Sequence, residues 1–355
     1  MDNPTLRLID ANFNRAREAL RVLEDFARFI LDNAPLSTAA KQLRHDLSQT
    51  ITQLPAMDLL SSRDTPGDVG TAISTPTEQS RTDSLAVARA AAKRLAEALR
   101  CLEEYTKIEN SQLAARIETI RYQAYNLEKQ ILLFAHRQDR FSRVRLYVLL
   151  TQAIAQRPLL EVAQLALAGG ADCLQLREKD KTDRELLDLA RSIRRLCRDA
   201  GALFILNDRP DLALLADADG VHLGQNDLPV AQARKILKPN QLVGKSAHNR
   251  TEADAAIAER PDYLALGAVF ASPTKPNVDT SGPDLIAEIR QIYPGPIVAI
   301  GGITARNAQQ ALAAGAAALA VCSAVIAADN PQTAAQSLKA AFPHTADPDL
   351  SESNS

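Results

Sequence analysis

Three observations predict an α/β protein in which a (β/α)8 TIM barrel follows an all-α N-terminal domain. Residues 1–140 carry apolar side chains at three- and four-residue spacing with almost no β-branched alternation, the periodicity of helices. Residues 141–343 change to short apolar runs alternating with amphipathic segments, eight times within roughly 200 residues, the minimal length of such a barrel. Unusual polar residues then collect where those runs end, on the face where barrels of this type carry their chemistry. An open doubly wound sheet is the structural alternative, and the even spacing of the runs favours the closed barrel.

The 355 residues leave room for two domains and a sizeable core. A formal net charge of −2 gives no electrostatic footprint for nucleic acid or an anionic membrane. Cys101, Cys173, Cys197 and Cys322 lie far apart with no CxxC pair. They read as reduced thiols of a cytoplasmic protein, neither a disulfide framework nor a zinc site. The start Met1-Asp2-Asn3-Pro4 lacks the basic and apolar regions of a secretory signal. The uncharged stretch Ala311 to Ala328 is alanine-rich and broken by Gly315, and reads as a helix end, a turn and a buried strand.

Within the helical part, the run from Glu18 to Phe26 (EALRVLEDF) is echoed from Glu97 to Tyr105 (EALRCLEEY), which suggests two related halves. Their leucines, Leu20, Leu23, Leu99 and Leu102, are expected in a shared core, with Arg and Glu on outer faces or a cleft. Arg63 to Ser84 is rich in Thr, Ser, Pro, Asp and Gly and reads as a long loop. Candidate strands follow at 145–150, 173–177, 203–207, 220–224, 242–246, 263–269, 297–301 and 318–323, with amphipathic helices such as Thr182 to Ala200 and Thr251 to Glu259 between them. Residues 344–355 form a polar C-terminal tail.

The second strand ends in Gln175, Arg177 and Lys179, alternate residues that share one face of an extended chain. An amide and two cations at the end of a buried strand suit an oxyanion, although pairing with Glu178 and Asp180 on an exposed edge is the alternative. Asn207 and Asp208 end the third strand, Asp227 follows the fourth, Ser246 and His248 end the fifth, and Ser272, Thr274 and Lys275 follow the sixth. Asp208 and Asp227 on adjacent strand ends suit one Mg2+, which takes one or two carboxylates and completes its octahedron with water and phosphate oxygens. Lone aspartates after strands also serve as turn or cap residues. Gly301, Gly302 and the segment around Cys322 and Ser323 occupy the loops after strands seven and eight, the recurrent phosphate site of such barrels. Arg177, Lys179 and Lys275 form a second anion site beside the carboxylates, so the pocket suits two phosphorylated groups. For His222 and His248 a hydrogen-bonded structural role outweighs an acid–base one.

Residues 145 to 342 resemble the thiamine phosphate synthase (thiamine-phosphate pyrophosphorylase) family. The motifs are Leu174 with QLREK at 175–179, FILND at 204–208, GVHLGQND at 220–227, GKSAH at 244–248, DYLALGAVF at 262–270, TK at 274–275 and AIGGI at 299–303. The resemblance implies a (β/α)8 barrel and a transferase (EC 2.5.1.3) of thiamine biosynthesis. It condenses hydroxymethylpyrimidine diphosphate with a thiazole phosphate to give thiamine phosphate and diphosphate, with CO2 when the thiazole is carboxylated. By the same resemblance Gln175, Arg177, Glu178, Lys179, Asn207, Ser246 and Lys275 line the pyrimidine diphosphate, and Arg177, Lys179, Ser246 and Lys275 are the catalytic set. Asp208 and Asp227 ligate Mg2+; Ser272, Thr274, Gly302, Cys322 and Ser323 surround the thiazole phosphate. Lys245, Ala271-Ser272 and Ala320 depart from the family pattern, which puts in doubt only the detail of thiazole binding and the layer around Lys245.

The N-terminal part, with Asn12 to Glu18 and Arg63-Asp64, is similar to a helical extension fused to some members of that family. The resemblance allows it a hydroxymethylpyrimidine phosphate kinase role or a structural, dimerising one; no GxxxxGK[ST] loop is present to cradle ATP. Two other functions fit less of the residue set. A thiazole tautomerase of the same barrel type does not need the full diphosphate and Mg2+ constellation, and a non-catalytic sensor of thiamine precursors could dispense with the carboxylates. Oligomeric state and the preferred thiazole tautomer are not written in the sequence.

Overall fold

Residues 1–70, 80–271 and 279–343 are described in a computed structural model, and the chain divides into two compact units, Met1–His136 and Arg137–Ser355. Ser272, Thr274 and Lys275, the middle of the Arg63–Ser84 loop and the tail from residue 344 lie outside the described residues.

The first unit is helical: α1 Asn3–Asp25, α2 Ala34–Ile51, α3 Ala56–Ser61, α4 Ser84–Thr106 and the greater part of α5 Ser111–Ser142. Asp2, Asn33 and Asp83 cap α1, α2 and α4 through their side chains, each satisfying an N–H that the helix leaves without a partner. Leu20, Leu23, Leu99 and Leu102 are fully buried in one core shared by α1, α2, α4 and α5. Glu24 and Glu103, at matching places in the two echoed runs, are also buried, so these two are not on an outer face. Each is drawn inward because the next long helix supplies an arginine. Arg44 lies 2.9 Å from Glu24, and Arg121 lies 2.7 Å from Glu103, so neither charge is buried unpaired.

The second unit is a closed barrel of parallel strands paired in the order β1 to β8 and back to β1. The strands are β1 Leu146–Leu150, β2 Cys173–Leu176, β3 Leu203–Asn207, β4 Gly220–Leu223, β5 Leu242–Ala247, β6 Tyr263–Leu266, β7 Ile297–Ile300 and β8 Ala318–Val321. Between and after them run α6 Leu159–Ala168, α7 Asp183–Asp199, α8 Pro210–Leu215, α9 Val230–Ile236, α10 Arg250–Ala258, α11 Gly282–Arg290, α12 Ala308–Ala313, α13 Ser323–Ile326 and α14 Pro331–Lys339. The Thr182–Glu185 capping box starts α7. The Ala311–Ala328 stretch is the end of α12, a turn, β8 and α13, and no helix of the described residues is long and apolar enough to cross a membrane.

Alternation along each strand separates two cores. Leu146, Val148, Leu174, Leu176, Phe204 and Leu206 face the helices, while Tyr147, Leu149, Cys173, Ile205, Tyr263 and Ala320 fill the barrel interior. Strand β6 stops at Leu266, short of the expected Val269. A side chain at Gly267 would meet the Ile300 carbonyl oxygen at 1.9 Å, so the chain there lies too close to β7 to continue a regular ladder.

The amino-terminal face is tied by three aspartates, each just before an even-numbered strand. Asp172 accepts from Leu146 N, Asp219 from Phe204 N and Asp262 from Val243 N, at 2.7–2.9 Å. Each also binds cations: Lys339 for Asp172, Arg140 and Arg194 for Asp219, Arg137 and Arg234 for Asp262. The last turns of α5 thus belong to the barrel unit, and Phe141 stacks on the Tyr263 ring at 4.0 Å between centroids.

Tyr263 fits because β5 carries glycine beside it: a Cβ at Gly244 would stand 2.1 Å from Tyr263 Cζ. Gly244→Ala is therefore expected to cost about 2 kcal/mol by overpacking, read as a lower urea midpoint of the full chain. An unchanged midpoint would show that the ring can move aside freely.

Candidate active site

On the carboxyl face, β2, β3 and β4 end side by side in parallel register. Gln175 is the last inward-facing residue of β2 and is buried; β2 ends at Leu176, so Arg177 and Lys179 stand on the following loop, half-buried and exposed respectively. The alternative, pairing of these cations with Glu178 and Asp180, does not occur among the described residues. The Glu178 carboxylate accepts from Gln152 N on the loop after β1, and neither cation forms a close ion pair among the described residues. Both instead lie near enough to Asp208 to lower the proton affinity of its carboxyl.

Asn207 is the final residue of β3, paired with His222 of β4, and Asp208 follows it in the left-handed region at φ 63° with its N–H on the His222 carbonyl at 2.8 Å. A non-glycine residue held there is strained, a condition that collects at functional sites. Asp227 accepts from Gly224 N at 2.6 Å, so a tight turn after β4 aims its carboxyl back at the face. Burial first, then the neighbouring Asp227 carboxyl, push the Asp208 carboxyl up from 3.8 to about 6. A carboxyl that resists ionising beside a second carboxyl is a place where a dication can take the proton's part. The donor set therefore fits one Mg2+ and offers no thiolate that would favour zinc. No cluster of three or more His, Cys, Asp or Glu side chains occurs among the described residues, so substrate oxygens and water would supply the other ligands.

Because the folded Asp208 holds its proton more tightly than an unfolded one, the stabilisation linked to that proton is present below 3.8 and lost as pH rises through about 6. Asp208→Asn imitates the protonated form. In the absence of divalent metal it is expected to stabilise the chain at pH 8 by roughly 1 kcal/mol, a figure discounted for the half-exposure of the group, and not at pH 4. Thermal unfolding at the two pH values checks this; equal midpoints for variant and parent at pH 8 would refute it.

Ser246 lies on β5 with Oγ 2.8 Å from His222 Nε2. His222 is buried, and burial lowers its imidazole from 6.5 to about 4, so it is neutral near pH 7 and supplies no general acid there. His248 is exposed and held by Glu252 at the start of α10, again a structural position. Lys245 points the other way from Ser246, buried between strand and helices with its ammonium 3.4 Å from Glu259. On the opposite side Gly301 and Gly302 adopt φ 98° and 65°, and a side chain at Gly302 would meet the Phe270 carbonyl oxygen at 2.4 Å. Only glycine fits there. Cys322 is half-buried and precedes α13, whose first residue is Ser323, so N–H groups without intrahelical partners open beside the glycine loop.

Three contributors were not singled out from sequence. Asn307 donates to the Gly302 carbonyl at 2.9 Å and accepts from Thr304 N at 2.8 Å, fixing the glycine loop. Tyr147 and Tyr263 meet at 3.0 Å inside the barrel under the pocket. A tyrosine at an inward strand position was the available signal, but nothing in the sequence tells which hydroxyls meet.

Comparison with known proteins agrees with the fold. Residues 146–325 match the family model described as "Thiamine monophosphate synthase", and residues 7–130 match the ThiD2 family. The chain is 42% identical over 332 residues to a thiamine-phosphate synthase of Nostoc punctiforme, covering 94% of this chain and 92% of that protein. It is 41% identical to one of Synechocystis sp., covering 94% of each. Among solved structures, a thiamine phosphate pyrophosphorylase from Pyrococcus furiosus superposes with a TM-score of 0.53 at 36% identity, covering 57% of this chain and 96% of that one.

Proposed function

Since the chain belongs to the thiamine-phosphate synthase family and is a transferase of thiamine biosynthesis, we propose how the strand ends of its barrel divide that reaction. The observation that carries the reading is the Asp208 carboxyl, raised beside Asp227, with Arg177 and Lys179 close enough to act on it and in no close ion pair among the described residues, at the ends of β2, β3 and β4. Such a set holds the diphosphate of hydroxymethylpyrimidine diphosphate, with Gln175, Asn207 and Ser246 around the ring. Lys275, together with Ser272 and Thr274 on the thiazole side, is assigned on family resemblance alone. Gly302, Cys322 and Ser323 take the thiazole phosphate through backbone N–H groups, as glycine loops and helix starts do. Glu178 belongs to the pocket by positioning the loop after β1.

In the reaction the bond between the pyrimidine methylene carbon and the diphosphate oxygen breaks, its electron pair leaving with diphosphate. The thiazole nitrogen lone pair forms the new bond to the same carbon, and CO2 departs when the thiazole is carboxylated. Mg2+ on Asp208 and Asp227 would supply charge neutralisation for the leaving group when bound. Arg177 and Lys179 lower the cost of the same departing charge, and the pocket walls hold the two substrates in line. No covalent nucleophile is required. The setting is proposed to be cytoplasmic, with small-molecule substrates and no nucleic acid or membrane partner.

The decisive assay incubates the full chain with both substrates and Mg2+. Thiamine phosphate and diphosphate are expected in equal amounts, and absence of both would overturn the reading. For the helical unit we infer a separate domain of two related halves, supported by the matching Glu24–Arg44 and Glu103–Arg121 pairs. A fragment from Arg137 onward is expected to keep synthesis, whereas one starting at Arg143 loses Arg137, Arg140 and Phe141 from the barrel base and is expected to misfold. A folded but inactive Arg137 fragment would assign part of the active site to the helical domain.

A further inference from the structure

A line of polar side chains crosses the barrel interior from Gln175 to Ser246. Gln175 Nε2 donates to the Tyr147 hydroxyl at 2.8 Å, that hydroxyl meets Tyr263 at 3.0 Å, Tyr263 meets His222 Nδ1 at 3.1 Å, and His222 Nε2 meets Ser246 Oγ at 2.8 Å. Tyr147, Tyr263, Gln175 and His222 are all buried, so water does not compete along the line.

Each hydroxyl has one proton to give, which makes the line directional. Tyr147 accepts from the Gln175 amide and therefore donates onward. The Cys173 thiol beside it is a weak acceptor, whereas the Tyr263 oxygen is a good one. Tyr263, having accepted, donates to His222 Nδ1. An imidazole buried among hydroxyls with no hydrogen-bonded carboxylate stays neutral, so with Nδ1 accepting its proton sits on Nε2 and is given to Ser246 Oγ. Ser246 is then left with its own proton to donate outward. At the other end Gln175 has committed its amide N–H to Tyr147, and its Oε1 has no partner among the described residues.

We propose that Tyr147, Tyr263 and His222 are positioning residues that form a one-way hydrogen-bond chain, so that Gln175 presents an acceptor and Ser246 a donor to the bound substrate. The chemistry selected is a ligand offering an N–H donor, such as an exocyclic amine, to Gln175 and an acceptor, such as a phosphate oxygen or ring nitrogen, to Ser246. A reversed chain would present an amide N–H at one end and a lone pair at the other, the wrong polarity for an amino-substituted ring bearing diphosphate. This specificity rests on the pocket assignment above, while the proton order rests on the orientation of the Gln175 amide and the hydrogen bonds that follow from it.

The test reads the two separately. The full chain is labelled with 15N-histidine, and two-bond 15N–1H correlation spectra are recorded without substrate. The His222 signal is assigned by its loss in His222→Gln or, if that variant does not fold, by elimination with His45→Gln, His136→Gln, His248→Gln and His344→Gln. The Nε2–H tautomer is expected; an Nδ1–H tautomer or a doubly protonated ring overturns the chain. Tyr147→Phe and Tyr263→Phe keep both rings and remove one link each. Each is expected to lower kcat/KM for the pyrimidine diphosphate roughly tenfold, the scale of one net hydrogen bond, with KM for the thiazole phosphate unchanged. Unchanged kcat/KM, or an equal loss for both substrates, overturns the positioning role. If the wild type makes no thiamine phosphate, the pocket assignment fails and the substrate specificity with it, while the substrate-free tautomer still decides the proton order.

Discussion

Replacing Asp208 or Asp227 with alanine is expected to reduce thiamine phosphate formation by roughly 1000-fold or more and to remove most of its dependence on added Mg2+. A metal that neutralises a leaving group contributes several kcal/mol to the transition state, and with one carboxylate left the site drops to the minimum that Mg2+ uses. The proton order of the pair adds a pH signature. The Asp208 carboxyl of the metal-free chain titrates near 6, so protons compete with metal below that value. The Mg2+ concentration giving half-maximal rate is expected to rise as pH falls from 7 to 5, and to be level between 7 and 8. Wild-type turnover in either alanine variant, measured at saturating substrates, would remove the carboxyl pair from the mechanism.

Arg177→Ala and Lys179→Ala are each expected to lose 100- to 1000-fold in kcat, roughly the effect of removing one electrostatic donor from an active site. The expectation follows from their having no close carboxylate partner among the described residues, while their charge reaches Asp208. Of the two, Arg177 is half-buried and Lys179 exposed, so the arginine should show the larger loss because solvent screens it less. Steady-state kinetics with each substrate varied in turn separates the roles. A loss confined to KM for the thiazole phosphate would mean that the two anions occupy each other's proposed places.

Much of the barrel is legible in local pattern. Runs such as LYVLL and FILN are buried on both faces, as parallel strands under helices must be, and the turns between them carry Gly, Asn and Asp. Strand ends were less legible. Arg177, Cys322 and Ser323 fall just past their strands because parallel pairing stops where β1 and β7 stop supplying partners, a property of the neighbours. The base of the barrel was not legible at all. Asp172, Asp219 and Asp262 look like ordinary turn residues in sequence, yet each joins strands and cations that are distant along the chain.

By itself the sequence determined the two-part architecture and the identity of the polar residues that the fold places at the carboxyl rim of the barrel. Periodicity and strand-end polarity are local quantities, and alternation in a strand assigns each side chain to a face. Only the tertiary structure decided which polar groups meet. The neighbouring Asp208 and Asp227 carboxyls and the line from Gln175 through Tyr147, Tyr263 and His222 to Ser246 join residues from different strands. Their protonation follows from distance and desolvation, which barrel closure sets and one-dimensional spacing does not contain.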